Sequence, residues 1–125
     1  MAYVLFSAII VCTFLVYGIK AAIFRPRPYV VLELFETNIL TTKDPYSSFP
    51  SSHTASAFTT AAILGYYFKK WIIPVFAAAV CAGLARIYLL VHYPSDVVAG
   101  AIIGILVSLC VIYISRQVMK RQKEK

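Results

Sequence analysis

Four stretches of this chain, roughly residues 2–24, 52–69, 71–91 and 96–116, are each apolar over nearly the length of a bilayer crossing. A membrane-spanning helix takes about 20 predominantly apolar residues. Of the 125 residues, 61% are hydrophobic, against about 45–50% in a soluble domain. The mean hydropathy is +0.80. The fold class expected is all-α, a polytopic membrane helix bundle of about four transmembrane helices forming one domain over residues 1–125. The second stretch is the least apolar, because Ser52, His53, Thr54, Ser56, Thr59 and Thr60 make its first half polar. The segment Met1 to Ile19 lacks the basic start and small-residue cleavage site of a secretory signal, so it is expected to be retained as a span.

Charge sets the orientation. The net charge of +7 collects in a Lys69-Lys70 corner and in a tail over 117–125, with Arg116 just before it. Basic clusters beside apolar segments read as topology determinants rather than as a nucleic-acid surface. Anionic lipid is a compatible partner for the tail, and no nucleic acid is expected. Both clusters are then cytoplasmic. The loop at 25–51 and the turn at 92–95 fall on the extracytoplasmic side. That loop holds Pro26, Pro28 and Pro45 together with Glu33, Glu36, Lys43 and Asp44. Its Tyr29 to Leu32 and Leu34-Phe35 patches suit a segment lying in the interface. Gly100 with Gly104, and Ala79 with Gly83, are small-residue pairs that let helices approach closely. Packing within the chain is the expected use, and a homo-oligomer is a second one. Cys12, Cys81 and Cys110 have neither disulfide nor metal spacing, and are expected to be buried thiols acting as small hydrophobes.

On this topology every unusual polar residue converges on the outer face. Lys20 and Arg27 lie at the outer end of span one, and Ser51, Ser52 and His53 open span two. Arg86 and His92 close span three, and Asp96 opens span four. A charge at the bilayer centre costs roughly 2.5–3.5 kcal/mol, so charges this selectively placed point to a task. Lys20, Arg27 and Arg86 supply cationic donors for phosphate oxygens. Ser51 and Ser52 add hydroxyl and backbone donors where helix N-termini favour anions, and either serine can cap span two. His92 and Asp96 are one helical turn apart, with Pro94-Ser95 reading as a helix start. A carboxylate on one ring nitrogen raises the basicity of the other, which suits a nucleophilic imidazole. His53 is the candidate acid for the departing oxygen. Arg25 is expected to snorkel to the interface.

Read in order, Lys20-x6-Arg27-Pro28, Pro50-Ser51-Ser52-His53 and Arg86-x5-His92-x3-Asp96 resemble the three-part signature of the type 2 phosphatidic-acid phosphatase superfamily. That group includes lipid phosphate phosphatases, bacterial acid phosphatases and vanadium haloperoxidases. The resemblance covers about residues 20–97. It implies a phosphohistidine on His92 oriented by Asp96, and His53 as general acid. It also implies Lys20, Arg27, Ser51, Ser52 and Arg86 as phosphate ligands, and, as in the phosphatase members, no metal ion or other cofactor is expected. Ser52 stands where the family usually has glycine, and Ala85 where it usually has serine. Membrane members usually have six spans, whereas here the helix carrying the first motif begins almost at Met1. Either four spans suffice or another subunit completes the lipid groove.

The function expected is metal-independent hydrolysis of a lipid phosphate or diphosphate at the extracytoplasmic surface. A polyprenyl diphosphate is the first substrate considered, with phosphatidic acid and phosphatidylglycerophosphate beside it. Two alternatives stay open: a vanadate-dependent haloperoxidase-like enzyme, and a non-catalytic protein that binds or transports lipid phosphates.

Overall fold

In the computed structural model, which describes residues 1–33 and 44–124, helix α1 occupies Ala2–Ala22. Its buried residues are Val4, Ala8, Cys12, Val16 and Lys20, one every fourth position and therefore on a single stripe. The stripe is made of small or branched side chains until its last member, which is a lysine. Tyr3, Phe6 and Phe14 on the other faces are exposed, as suits a helix whose surroundings are hydrocarbon. After the four-residue helix α2, Pro28–Val31, the chain reaches α3 at Ser52–Tyr67. A single 3-10 turn at Lys69–Trp71 leads into α4, Ile72–Tyr88, and α5 follows at Pro94–Lys123. Among the described residues there is no strand.

Three segments, Ala2–Ala22, Lys69–Tyr88 and Pro94–Gln122, are long and apolar enough to cross a membrane. Helix α3 has 16 residues, about 24 Å at 1.5 Å per residue. It occupies the middle of the bundle, packed against α1, α4 and α5, and its polar residues have partners there. Thr59 Oγ1 donates to the Gly104 carbonyl at 3.3 Å, while Ser108 Oγ donates to the carbonyls of Thr59 and Gly104 at 3.2 and 2.8 Å. The polar first half that weakens α3 as a lipid-facing span therefore suits it as the central one. Val4, Ala8, Ile63 and Ile112 form one buried cluster, and Cys12, Val16, Ala55 and Val107 another.

Gly100 and Gly104 explain how α5 comes so close to α3. A Cβ on Gly100 would lie 2.6 Å from the Ser51 carbonyl oxygen, and one on Gly104 would overlap the Ala55 carbonyl oxygen. Both obstacles are backbone, so neither can turn aside. The small-residue pair is thus used within the chain. Gly104→Ala is expected to force α5 away from α3 and to lower the melting temperature in detergent. Overpacking of this kind costs about 1–3 kcal/mol. Gly18→Ala, at a position with nothing within 4 Å, is the matched control and should leave the melting temperature unchanged.

Several sequence expectations are corrected here. Helix α5 begins at Pro94 and continues to Lys123, so the basic residues after Ser115 extend the helix instead of forming a separate tail. Only Cys12 is buried, whereas Cys81 and Cys110 are exposed, because an apolar side chain gains nothing from the interior when its surroundings are also apolar. Tyr29 does not lie in the interface. It is 1% exposed, with its backbone N–H bonded to the Leu90 carbonyl at 3.1 Å. Val31 and Leu32 of the same patch are exposed. The Leu34-Phe35 patch, Glu36 and Lys43 lie outside the described residues.

Candidate active site

The turn between α4 and α5 builds one wall of the site. The backbone N–H groups of Val91 and His92 both donate to the Arg86 carbonyl, which ties His92 to the last turn of α4. Leu90, immediately before Val91, has φ of 55°, a left-handed conformation that a branched side chain adopts at a cost. The chain then enters α5 through a capping box, with Pro94 in the first turn and Asp96 Oδ2 accepting from the Tyr93 backbone N–H at 2.9 Å. The cap thereby places the Asp96 carboxylate beside His92.

Asp96 is fully buried and saturated with donors. Its Oδ2 also accepts from Ser48 Oγ at 2.5 Å, and its Oδ1 accepts from Arg25 Nη1 at 2.6 Å. His92, 3% exposed, faces Asp96 Oδ2 with Nδ1 across 3.6 Å, beyond hydrogen-bond distance, and Nδ1 has no hydrogen-bond partner among the described residues. An ionised carboxylate can only accept, so the proton belongs on Nδ1 and the lone pair on Nε2. Arg27 Nη1, a donor, lies 3.5 Å from Nε2, which agrees with that tautomer. Burial holds the imidazole below its ordinary value. The Asp96 contact opposes this, while the Arg27 and Lys20 charges add to it. These influences together favour the neutral imidazole.

The other wall comes from α1 and the loop before α3. Lys20 ends the buried stripe of α1, and its Nζ donates to the Ser47 carbonyl at 2.5 Å. Arg27 donates from Nε to the Asp44 carbonyl at 2.9 Å and from Nη1 to the Val91 carbonyl at 3.0 Å; its Nη2 reaches the Ser47 carbonyl at 3.3 Å. Backbone carbonyls hold these cations in place without cancelling their charge. Arg86 Nε is buried with no hydrogen-bond partner among the described residues.

Lys20, Arg27, Ser52, His53, Arg86 and His92 all line one cavity of about 360 Å³, within the usual range for a ligand pocket. Tyr17, Asp44, Ser47 and Val91 complete its wall. Of the sequence candidates, two stand outside. Asp96 is behind His92, where an orienting group belongs. Ser51 does not line the cavity: its hydroxyl accepts from Thr54 Oγ1 at 2.9 Å and caps α3, and its N–H donates to the Asp96 carbonyl at 3.0 Å. Its place in this structure is as a cap and a tie between α3 and α5. Arg25 does not snorkel, because the Asp96 carboxylate gives it a better partner than the interface. Ser48 and the Ser47 carbonyl had no sequence signal, being loop groups recognisable only once the loop is folded. Among the described residues, no group of three or more His, Cys, Asp or Glu side chains could hold a metal ion.

A family model described as the PAP2 superfamily matches residues 1–120. The chain belongs to this superfamily. Lipid A 1-phosphatase of Rhizobium etli is 30% identical over 102 residues, 80% of this chain and 44% of that protein. Undecaprenyl-diphosphatase BcrC of Bacillus subtilis is 31% identical over 91 residues, 73% of this chain and 46% of that one. The chain spans less than half the length of these two relatives. The crystal structure of Aquifex aeolicus LpxE matches with a TM-score of 0.76 and 38% identity, covering 88% of this chain and 66% of that one. The PAP2 chain is accordingly an all-helical integral membrane protein, and the motif resemblance seen in the sequence is a family relationship.

Proposed function

We propose that this PAP2 protein hydrolyses a lipid phosphate or diphosphate through a phosphohistidine on His92. The observation that carries the reading is that His92, with its free lone pair, shares one cavity with His53 and three cations. Lys20, Arg27, Arg86 and the Ser52 end of α3 hold the phosphate oxygens, and Ser51 keeps that helix end in place. The His92 Nε2–phosphorus bond forms as the phosphorus–oxygen bond to the lipid breaks, and His53 gives its proton to the departing oxygen. Water then attacks phosphorus, its proton passes to His53, and free phosphate leaves with His92 restored. No step draws on a metal ion. The relatives named for lipid A and for undecaprenyl diphosphate support an amphiphilic substrate, and polyprenyl diphosphate remains the first choice.

Phosphate release from undecaprenyl diphosphate, phosphatidic acid, phosphatidylglycerophosphate and a lipid A 1-phosphate, in detergent with chelator present, tests this. Turnover of at least one is expected. Turnover that chelator abolishes would remove the metal-independent mechanism. The pH dependence follows from His92. Because its titration lies below the ordinary histidine value, the neutral base persists as pH falls, and the acid limb of kcat/KM should lie below about 6.5. A limb at or above that value would contradict the assignment.

All four long helices are proposed to traverse the membrane, with the cavity extracytoplasmic and the end of α5 cytoplasmic, following the bias of Lys69, Lys70 and the residues after Ser115. In a chain lacking its three native cysteines, Tyr46→Cys should react with an impermeant thiol reagent from outside the cell, and Lys120→Cys should not. The reverse pattern would invert the topology.

A further inference from the structure

Arg25 takes no part in the proposed phosphate clamp, yet it makes the shortest ion pair among the described residues, 2.6 Å from Nη1 to Asp96 Oδ1. The same nitrogen donates to Ser95 Oγ at 2.8 Å, and the guanidinium carbon lies 4.1 Å from the centre of the Tyr93 ring. One side chain therefore grips the entry of α5 at Tyr93, Ser95 and Asp96. Ser48 Oγ and the Tyr93 N–H converge on the other carboxylate oxygen, the one facing His92.

We propose that Arg25 is a positioning residue that fixes the carboxylate of Asp96 and tempers its charge, and so sets the basicity of His92. The inference rests on the reading of His92 as nucleophile. The plane of an aspartate carboxylate is only loosely set by its own torsion preference, so the plane must be held by donors. Arg25 holds one oxygen, which leaves the other for Ser48, Tyr93 and the imidazole. Its positive charge also draws on the negative charge that would otherwise favour imidazolium. A His92 facing an uncompensated Asp96 would stay protonated to higher pH and be a poorer nucleophile near neutrality. The other ionisable groups around the ring are Lys20 from α1, Arg27 and Asp44 from the loop, His53 from α3 and Arg86 from α4. All of these are left intact when Arg25 is changed.

The test is kcat/KM against pH for Arg25→Gln and Arg25→Lys on a short-chain lipid phosphate, with His92→Ala alongside. Arg25→Gln should move the acid limb upward by about half a pH unit or more and lower kcat about tenfold. Arg25→Lys keeps the charge and loses the fork, so its limb should stay at the wild-type position while kcat falls a few-fold. An Arg25→Gln enzyme with reduced kcat and an unmoved limb would show a structural role only and overturn the proposal. Should that variant not fold, Arg25→Met, which also removes the charge, decides: an unmoved limb overturns the proposal, and an upward shift supports it. Activity surviving in His92→Ala would reject the underlying mechanism instead, a failure separable from that of the Arg25 assignment.

Discussion

His92→Ala should reduce phosphate release from the preferred lipid by about 10⁴-fold or more, since removing a nucleophile from a concerted set of groups costs nearly all of the catalysis. His53→Ala should cost less, about 10²–10⁴-fold, the range of a general acid. The two variants differ in a second way. An acid matters in proportion to how poor the leaving group is. On p-nitrophenyl phosphate, whose phenolate leaves readily, His53→Ala should regain much of its rate while His92→Ala regains none. The same logic bears on the natural substrate. A diphosphate expels a phosphate oxygen, which needs protonation less than the alkoxide from a monoester. A His53→Ala enzyme that keeps more activity on undecaprenyl diphosphate than on phosphatidic acid is the expected result. Acid-labile phosphoprotein, trapped by rapid quenching in wild type and absent from His92→Ala, would identify the intermediate. Equal loss in both variants on every substrate would sink the division of labour between the rings.

How much of this was legible in the sequence depends on the range of the interaction. The apolar runs gave the helices, and basic residues at their ends gave the expected orientation, because both are properties of local composition. The convergence of Lys20, Arg27, Ser52, His53, Arg86 and His92 was also readable, since each lies at or beside a helix end and helices that alternate in direction bring those ends to one face. What stayed hidden was which way a side chain turns once it arrives. Ser51 and Ser52 are adjacent and chemically identical. Only the capping geometry of α3 sends one hydroxyl to Thr54 and leaves the other on the cavity. Arg25 and Arg27 are two residues apart, so they look alike in sequence, but the extended backbone at Arg27 separates their targets. One reaches the cavity and the other reaches behind it to Asp96. The polarity of α3 was seen as weakness in a span, although it is what a helix surrounded on three sides by others can accommodate.

Asp96→Asn should be nearly as damaging as loss of a histidine, although it changes few atoms. The carboxylate accepts from Ser48 and the Tyr93 N–H on one oxygen and from Arg25 on the other. An amide has one accepting oxygen. If that oxygen takes the Ser48 and Tyr93 side, the NH2 confronts Arg25, donor against donor. If it turns to Arg25, the NH2 confronts the capping N–H and the Nδ1 proton of His92. Either way a buried donor is left unpaired, at about 1–3 kcal/mol, and the N-terminus of α5 loses its favourable charge. The catalytic effect is larger than the structural one. Without a negative charge at Nδ1, the imidazole proton can move to Nε2, the atom that must attack, and the neutral base becomes a donor pointing at phosphate. A corresponding change in a serine protease triad lowers kcat about 10⁴-fold through the same loss of tautomer. A fall of about 10²–10⁴-fold in kcat is therefore expected here, with a melting temperature in detergent lowered by only a few degrees. A fully folded Asp96→Asn enzyme turning over at the wild-type rate would mean that Asp96 serves the α5 cap alone, and that His92 needs no carboxylate to hold its proton.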